Sequence, residues 1–256
     1  MKIVILGTGT SQGIPIIGGG CPTCTSKNPK DKRLRVSVYV ETKGLKLLID
    51  TSIDFRQQML VNKITDIDCV LFTHHHVDHI LGMDDLRQIN QKHHKYVDIY
   101  GNKLTLDEIK ITFRYALNDL LISYKCVPLV NFNYIKNESF KIRDVEITPI
   151  EVMHGELPIL GYRINNFAYI TDCSSISDKE LEKLYNLDIL IINALRRAPH
   201  PTHFNLEQAI EVAGRIKPKR TYFTHITHDI LHDAVNSSLP DGIQLGYDGL
   251  ELLTDD

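Results

Sequence analysis

The densest chemistry in the chain is T-H-H-H-V-D-H at positions 73–79, directly after the apolar run Cys69-Val-Leu-Phe. Read as His74-x-His76-x-Asp78-His79, it sets three imidazoles and a carboxylate within six positions. Neutral nitrogen donors with an anionic oxygen suit a divalent transition metal. From an extended strand end His74 and His76 point the same way, whereas Asp78 and His79 can turn back from the loop or helix start that follows. Two groups of ligands from one short loop imply two metals.

Three further candidates stand at the ends of predicted strands. His154 follows the β-rich run 145–152, Asp172 ends the run 167–171, and His225 ends the run 221–224. Each alone reads as a turn residue or a capped His. With the first motif they give five His and two Asp at strand ends, where loops can aim side chains into one cleft. Asp172 is suited to bridge two cations, because a carboxylate offers two acceptor oxygens.

Elsewhere the signals are weaker. Cys21-Pro-Thr-Cys24 is a CxxC, half of a zinc site, and His228, three residues after His225, is a candidate partner. The other reading is two free thiols in a loop; no strand-then-helix context of the redox kind surrounds them. G-T-G-T-S-Q-G at 7–13 lacks the G-x-G-x-x-G spacing and is followed by Ile14-Pro15 rather than a helix, which argues against a dinucleotide site. Its glycines permit a tight turn beneath the cleft, and Thr10 or Ser11 could touch a substrate phosphate. Lys30, Lys32, Arg33 and Arg35 make a basic face that could steer an anionic substrate. Arg196 and Arg197 could pair with a phosphate. His93 and His94 read as exposed at a polar helix end.

These residues must be positioned by regular elements. Hydrophobic patterning predicts strands over 2–6, 36–41, 45–50, 69–73, 97–100, 145–152, 160–164, 167–171, 188–193 and 221–224. The second and third of these, and likewise 160–164 and 167–171, are joined by short turns and read as hairpins. Helices are predicted over 53–61, 81–92, 105–117, 177–185, 206–215 and 230–238, with capping signatures at Ser177 and Asn205. Hairpins open each half, then strands alternate with helices. That order predicts an α/β fold of two mixed sheets face to face with helices outside, a four-layer αββα sandwich, as one domain over 1–256. The least regular stretch, 103–136, reads as an insertion or cap. Its Phe113, Tyr115, Tyr124, Phe132 and Tyr134 could line a substrate cleft or belong to a helix packed on the core.

Composition sets the outer bounds. The chain is 43% hydrophobic and 24% charged, ordinary for a soluble globular protein. A net charge of −3 gives no general pull toward nucleic acid. Twelve His, many of them clustered, point to sites. Five Cys, an odd number, are not a disulfide framework, and Cys69 and Cys126 read as reduced residues in apolar surroundings. With neither a leader nor an apolar run long enough to span a membrane, the expectation is a cytoplasmic protein without membrane contact.

Taken together, T-H-H-H-V-D-H, His154, Asp172 in T-D-C, His225, Asp50 at the end of the second hairpin strand and the closing G-Y-D-G-L-E-L resemble the metallo-β-lactamase superfamily. The resemblance runs through almost the whole chain. The opening G-T-G-T-S-Q-G-I-P, followed by C-P-T-C and D-K-R-L-R, is similar to the branch of the phosphoribosyl 1,2-cyclic phosphate phosphodiesterases. That resemblance implies His74, His76 and His154 on one metal and Asp78, His79 and His225 on another, with Asp172 bridging them. Asp50 would orient a ligand through a hydrogen bond. It implies manganese or zinc, and the ligand chemistry also admits iron.

The branch also holds a structural zinc with three cysteines and a His. Here Gly19 stands where the first cysteine should be, leaving Cys21, Cys24 and His228 one ligand short of a closed shell. In the loop Pro199-His-Pro-Thr-His203 the branch has a general-acid His; His203 aligns best and His200 is the runner-up. An imidazole suits the role because its pKa lies near neutrality.

The expectation is therefore a binuclear metallohydrolase cleaving a small phosphodiester, by the branch resemblance a cyclic one such as 5-phosphoribosyl 1,2-cyclic phosphate. Its two metals would stand ~3.5–4 Å apart. His203 would protonate the leaving oxygen, and Asp78 would help hold the nucleophile. Alternatives on the same site are an RNA 3′-processing nuclease, a lactonase or a thioesterase; a non-catalytic metal-binding scaffold is a further reading from another class. A homodimer would follow if the loop over 21–35 packs on a second subunit.

Overall fold

In β1 (Lys2–Gly7) both faces are apolar: Ile3 and Ile5 point to one side, Val4 and Leu6 to the other, and all four are buried. A strand of this kind must be covered twice, and the computed structural model, which describes residues 1–255, shows how. β1 sits in a seven-stranded mixed sheet. Its other strands are β2 (Ser37–Thr42), β3 (Leu45–Ile49), β4 (Cys69–Leu71), β5 (Val97–Gly101), β6 (Val130–Tyr134) and, beyond β1 on the other edge, β14 (Leu250–Leu253). The second sheet, also seven-stranded, runs in order β7 (Phe140–Ile142), β8 (Val145–His154), β9 (Leu157–Ile164), β10 (Phe167–Ile170), β11 (Ile189–Asn193), β12 (Arg220–Thr224) and β13 (Ile243–Leu245).

Both sheets follow one plan. An antiparallel part made of hairpins (β1–β2–β3; β7–β8–β9–β10) passes into a parallel part made by helical crossovers (β3–β4–β5–β6; β10–β11–β12–β13). The inner faces meet in a core that includes Ile3, Val38, Leu47, Leu71, Tyr162 and Tyr169. The outer face of the first sheet is covered by helices Phe55–Val61, Leu86–His93 and Lys103–Thr112, and that of the second by helices Asp178–Glu182 and Leu206–Ile216. This is the expected four-layer αββα sandwich.

Turn chemistry behaves as read. Lys43 (φ 48°) and Gly44 (φ 72°) close the β2–β3 hairpin, and Asn165 (φ 50°) closes β9–β10. Asn205 forms a reciprocal capping box with Gln208. Ser177 caps the Glu180 amide, but the Glu180 carboxylate turns to Asn137, Lys183 and the Glu151 amide instead of closing a box.

Several expectations need correction. The strands β6, β7, β13 and β14 were not predicted, and the stretch 103–136 is neither an insertion nor a cap. It is the crossover from β5 to the edge strand β6, carrying helices Lys103–Thr112 and Asp119–Ser123. Its aromatic residues serve that layer: Phe113 and Phe132 pack in the outer core, Tyr115 bonds Asp84, and Tyr134 accepts from Lys110. The helix expected over 230–238 is only His232–Asn236, and the buried Arg33 shows why.

Arg33 is not on the surface but 1% exposed. Its guanidinium donates to the carbonyls of Thr227 (3.3 Å) and Ile230 (2.9 Å) and lies 3.6 Å from Asp31, which accepts from the His232 amide (2.7 Å). Carbonyls taken up in this way hold 227–231 as a turn. Arg35 is likewise occupied, by Asp54 at 3.1 Å and the Ser11 carbonyl at 3.0 Å. Arg33 and Arg35 are therefore clamps within the fold and not a steering patch.

His232, in the same buried cluster, has no partner on Nδ1. Burial, and then the charges of Lys30 and Arg33, push its pKa down from 6.5 to about 4. A group depressed in the folded state contributes stability above its unfolded pKa, and that stability is lost as pH falls through the folded value. We expect His232→Phe to unfold in urea as wild type does at pH 8 and to lose less stability between pH 6.5 and 4. Identical loss in both proteins would refute the assignment.

Candidate metal centre

The candidate ligands all lie at one end of the sandwich. Asp50 and His225 directly follow β3 and β12, Asp172 lies two residues beyond β10, and all three adopt left-handed backbone conformations, with φ of 61°, 55° and 54°. Asp and His tolerate this region better than most side chains, at some cost. The sharp turn carries each side chain off its strand and into the cleft. His74 and His76 lie in the segment that follows β4, His76 with extended backbone, and helix Val77–Ile80 then turns Asp78 and His79 back toward them. His154 is the last residue of β8.

Behind this end the Gly-rich loop acts as a close-packed brace. A Cβ on Gly7 would stand 2.0 Å from the Arg35 carbonyl oxygen, so only glycine fits. The Thr8 carbonyl accepts from Ile226 at 2.8 Å, tying the loop to the segment that follows His225.

The side chains converge as two groups with a shared member. Ligand atoms of His74, His76 and His154 lie within 4.8 Å of one another, as do those of Asp78, His79 and His225. Asp172 reaches both sides: it groups with His74 and His79, and separately with His154 and His203. Its Oδ1 is 3.2 Å from His225 Nε2 and 3.0 Å from His203 Nε2, and its Oδ2 is 3.3 Å from His79 Nε2. Asp50, fully buried, lies behind His79. It accepts from His79 Nδ1 (2.7 Å), the Thr73 amide (2.8 Å) and the Thr73 hydroxyl (2.8 Å).

These residues fit divalent cations on their own chemistry. The Nε2 atoms of His79 and His225 are buried, and although Asp172 oxygens stand 3.3 and 3.2 Å away, neither makes a hydrogen bond of good geometry, an expensive arrangement unless another group takes the lone pair. His79 donates through Nδ1 to Asp50, which leaves Nε2 as the ligating nitrogen. Burial and the neighbouring His79 hold His74 well below the usual His range, and burial takes His225 to about 4, so both imidazoles are neutral donors. Burial opposes charge on His79, but Asp78, Asp172 and Asp50 outweigh it and raise its pKa well above the usual value. Burial likewise opposes charge on Asp172, yet His225 and His79 hold its pKa well below the carboxylate range. Three carboxylates around His79 are an anionic environment that a cation would neutralise.

The two remaining groups behave differently. His200 and His203 stand together at the edge of the cleft, Nδ1 to Nδ1 at 3.2 Å, with His203 facing Asp172 and stacked on His225 at 4.8 Å. Cys21, Cys24 and His228 come near one another mainly through the backbone. Cys21 Sγ accepts from the Cys24 amide (3.3 Å) and lies 3.8 Å from the His228 carbonyl oxygen, while the His228 ring lies 3.7 Å from Asp229. Their ligand atoms form no convergent cluster among the described residues, so no metal chemistry is derived from them. A Cβ on Gly19 would stand 2.7 Å from Cys24 Sγ, so a side chain at that position would meet this thiol.

Thr202 was missed in the sequence. Its one signal there is its place between His200 and His203. Arg196 folds back on the carbonyls of Ala198 and Pro199, and Arg197 lies 3.7 Å from Glu207.

Residues 46–226 match the Beta-lactamase superfamily domain. A crystal structure described as a new diphosphatase from the PhnP family is 42% identical, covers 99% of this chain and 98% of its own, and superposes with a TM-score of 0.93. A Porphyromonas gingivalis protein named Octanoyltransferase is 40% identical over 100% of this chain, which spans only 52% of that relative. Ribonuclease Z of Methanopyrus kandleri is 30% identical over 53% of this chain and 46% of its own length. The chain thus spans about half the length of these two curated relatives. It belongs to the beta-lactamase superfamily and, within it, to the PhnP family. Among the described residues no helix is long and apolar enough to cross a membrane.

Proposed function

We propose that the chain is a binuclear phosphodiesterase acting on a small phosphorylated substrate whose phosphorus carries two oxygen-linked groups, as in a cyclic phosphate or a diphosphate. The observation that carries this reading is Asp172, whose carboxylate reaches both ligand groups with the His203 imidazole 3.0 Å away. A centre for the attack and a proton donor for the departure thereby share one wall of the cleft. The PhnP-family diphosphatase supports phosphorus, rather than carbon, as the centre attacked. Manganese or zinc is proposed at both positions, iron being the other metal the donor set admits.

When bound, the cations would supply positive charge for the phosphoryl oxygens and acidify a water molecule. The chain's own residues do the rest. His74, His76, His79, His154 and His225 would offer nitrogen lone pairs to the cations, and Asp78 and Asp172 would offset their charge. Asp78, buried and 3.4 Å from His79 Nε2, would accept a hydrogen bond from an incoming water. His203 delivers a proton to the leaving oxygen, and His200 borders it.

The test is turnover by metal-free protein reloaded with Mn²⁺ or Zn²⁺. Cyclic ribose phosphates and nucleoside diphosphate esters are compared with bis(p-nitrophenyl) phosphate, a lactone and a thioester. No phosphodiester or diphosphate turnover with two metals bound would overturn the reading. Lactone or thioester turnover would favour acyl chemistry, whose one support is the acyl group in the name of the Porphyromonas relative. His203→Gln should lose about 10²–10⁴-fold in kcat where the leaving group is an alkoxide. It should lose far less with p-nitrophenolate, a much weaker base. Equal losses on both substrates would remove His203 from the acid role.

A further inference from the structure

Three imidazoles at the edge of the cleft depend on one residue that none of them resembles chemically. The Thr202 carbonyl accepts from His154 Nδ1 at 2.9 Å. Its hydroxyl lies 2.8 Å from His203 Nδ1 and 3.2 Å from His200 Nδ1, and its amide donates to His200 Nδ1 at 3.4 Å. We propose that Thr202 is the positioning residue of the acid side of the site: its hydroxyl orients the His203 ring so that Nε2 faces the reacting centre. The proposal rests on the proton-donor role of His203 given above.

The hydrogen-bond directions follow from donor and acceptor chemistry. A carbonyl can only accept, so His154 carries its proton on Nδ1 and keeps the Nε2 lone pair for the ligand cluster. The Thr202 amide can only donate, so His200 Nδ1 accepts. The Thr202 hydroxyl has one proton and two lone pairs. With that proton given to His203 Nδ1, the ring proton of His203 stands on Nε2. His203 thereby presents an Nε2–H to the cleft, 3.0 Å from Asp172 Oδ1, the tautomer that a proton donor needs.

The hydroxyl is itself held in place. Gly155, in the turn after β8, has φ +63°, and a Cβ there would stand 3.0 Å from the Thr202 methyl carbon. The methyl group thus packs against a surface that only glycine leaves open. Packing on one branch of Cβ fixes χ1 and with it the direction of the other branch, as expected for a β-branched side chain. One residue therefore sets a metal-ligand candidate through its backbone and the proton donor through its side chain, and the two can be separated by mutation.

Thr202→Val keeps the carbonyl and the branched shape and deletes the hydroxyl. With an alkoxide-leaving phosphodiester we expect kcat to fall about 10–100-fold, the range for a partner that orients an active imidazole, with KM, metal content and Tm unchanged. Thr202→Ser, which keeps the hydroxyl, should recover most of the rate. With p-nitrophenolate leaving, Thr202→Val should approach wild type. Wild-type kcat on the alkoxide substrate, or a loss that Ser does not restore, or a loss that tracks metal content, overturns the proposal. His203→Gln is measured in parallel: if it leaves the alkoxide rate intact, the acid assignment itself has failed, whereas an effect of His203→Gln without one from Thr202→Val refutes the Thr202 proposal alone.

Discussion

Asp172→Asn should leave a folded protein that no longer holds its metals and turns over phosphodiesters on the order of 10³-fold or more slowly, since charge stabilisation at such a centre is worth several kcal/mol. The two carboxylate oxygens of Asp172 face different partners, His225 and His203 from Oδ1 and His79 from Oδ2. An amide keeps one acceptor oxygen and turns an N–H₂ toward the other side, so it cannot serve two cations. It also removes a negative charge from the midst of five imidazoles that are candidate ligands. The checks are metal analysis after dialysis and steady-state rates at saturating metal. Two tightly held metals and a rate within tenfold of wild type would show that Asp172 does not join the two positions.

Asp50→Asn should weaken metal binding at the Asp78–His79–His225 position by about 10–100-fold or more, although Asp50 itself faces no metal position. The argument is one of tautomers. As an acid, Asp50 accepts from His79 Nδ1, leaving Nε2 bare toward Asp78 and Asp172. If the new amide turns its nitrogen to His79, Nδ1 must accept, the ring proton moves to Nε2, and the ligating lone pair is lost. If it turns its oxygen to His79, the Thr73 amide loses its acceptor in a fully buried place. Asn tolerates the left-handed backbone at this position, so little other damage is expected. Asp50→Ala removes every acceptor for Thr73 and His79 and should cost about 3–5 kcal/mol of stability. Competition with a chelator reads the first effect and urea unfolding the second. Wild-type metal affinity in Asp50→Asn would contradict the orienting role.

The legibility of this chain differs by element. The hairpins and the central strands were readable because their apolar residues alternate or run continuously and their turns carry Lys-Gly or Asn-Asn. The edge strands β6, β7, β13 and β14 were not. β7 and β13 are three residues long and β14 four, too short for a period to stand out, whereas β6 does alternate, V-N-F-N-Y, but lies within the irregular stretch 103–136 that masks it. The helix expected over 81–92 is broken into a 3₁₀ segment, Leu81–Asp85, and an α-helix, Leu86–His93. The reason lies in a contact at its start: Gly82 lies so close to Ser52 that a Cβ there would stand 2.1 Å from the Ser52 carbonyl oxygen.

Residue types and spacing determined the ligand inventory. T-H-H-H-V-D-H, with His154, Asp172 and His225 at strand ends, named seven side chains that the fold gathers, with His203 joining His154 and Asp172, because donor chemistry is a property of the side chain alone. What those side chains face was decided only by tertiary structure. Arg33 reads as a surface cation and is buried beneath carbonyls 194 and 197 positions further along the chain. The left-handed turns at Asp50, Asp172 and His225 have no signature in non-glycine residues. Thr202, an unremarkable residue between two histidines, acquires its role only when β8 brings His154 and Gly155 against it. Such contacts join residues tens of positions apart, and no local pattern records them, since their energies arise from packing and desolvation that exist only once both sheets have closed on each other.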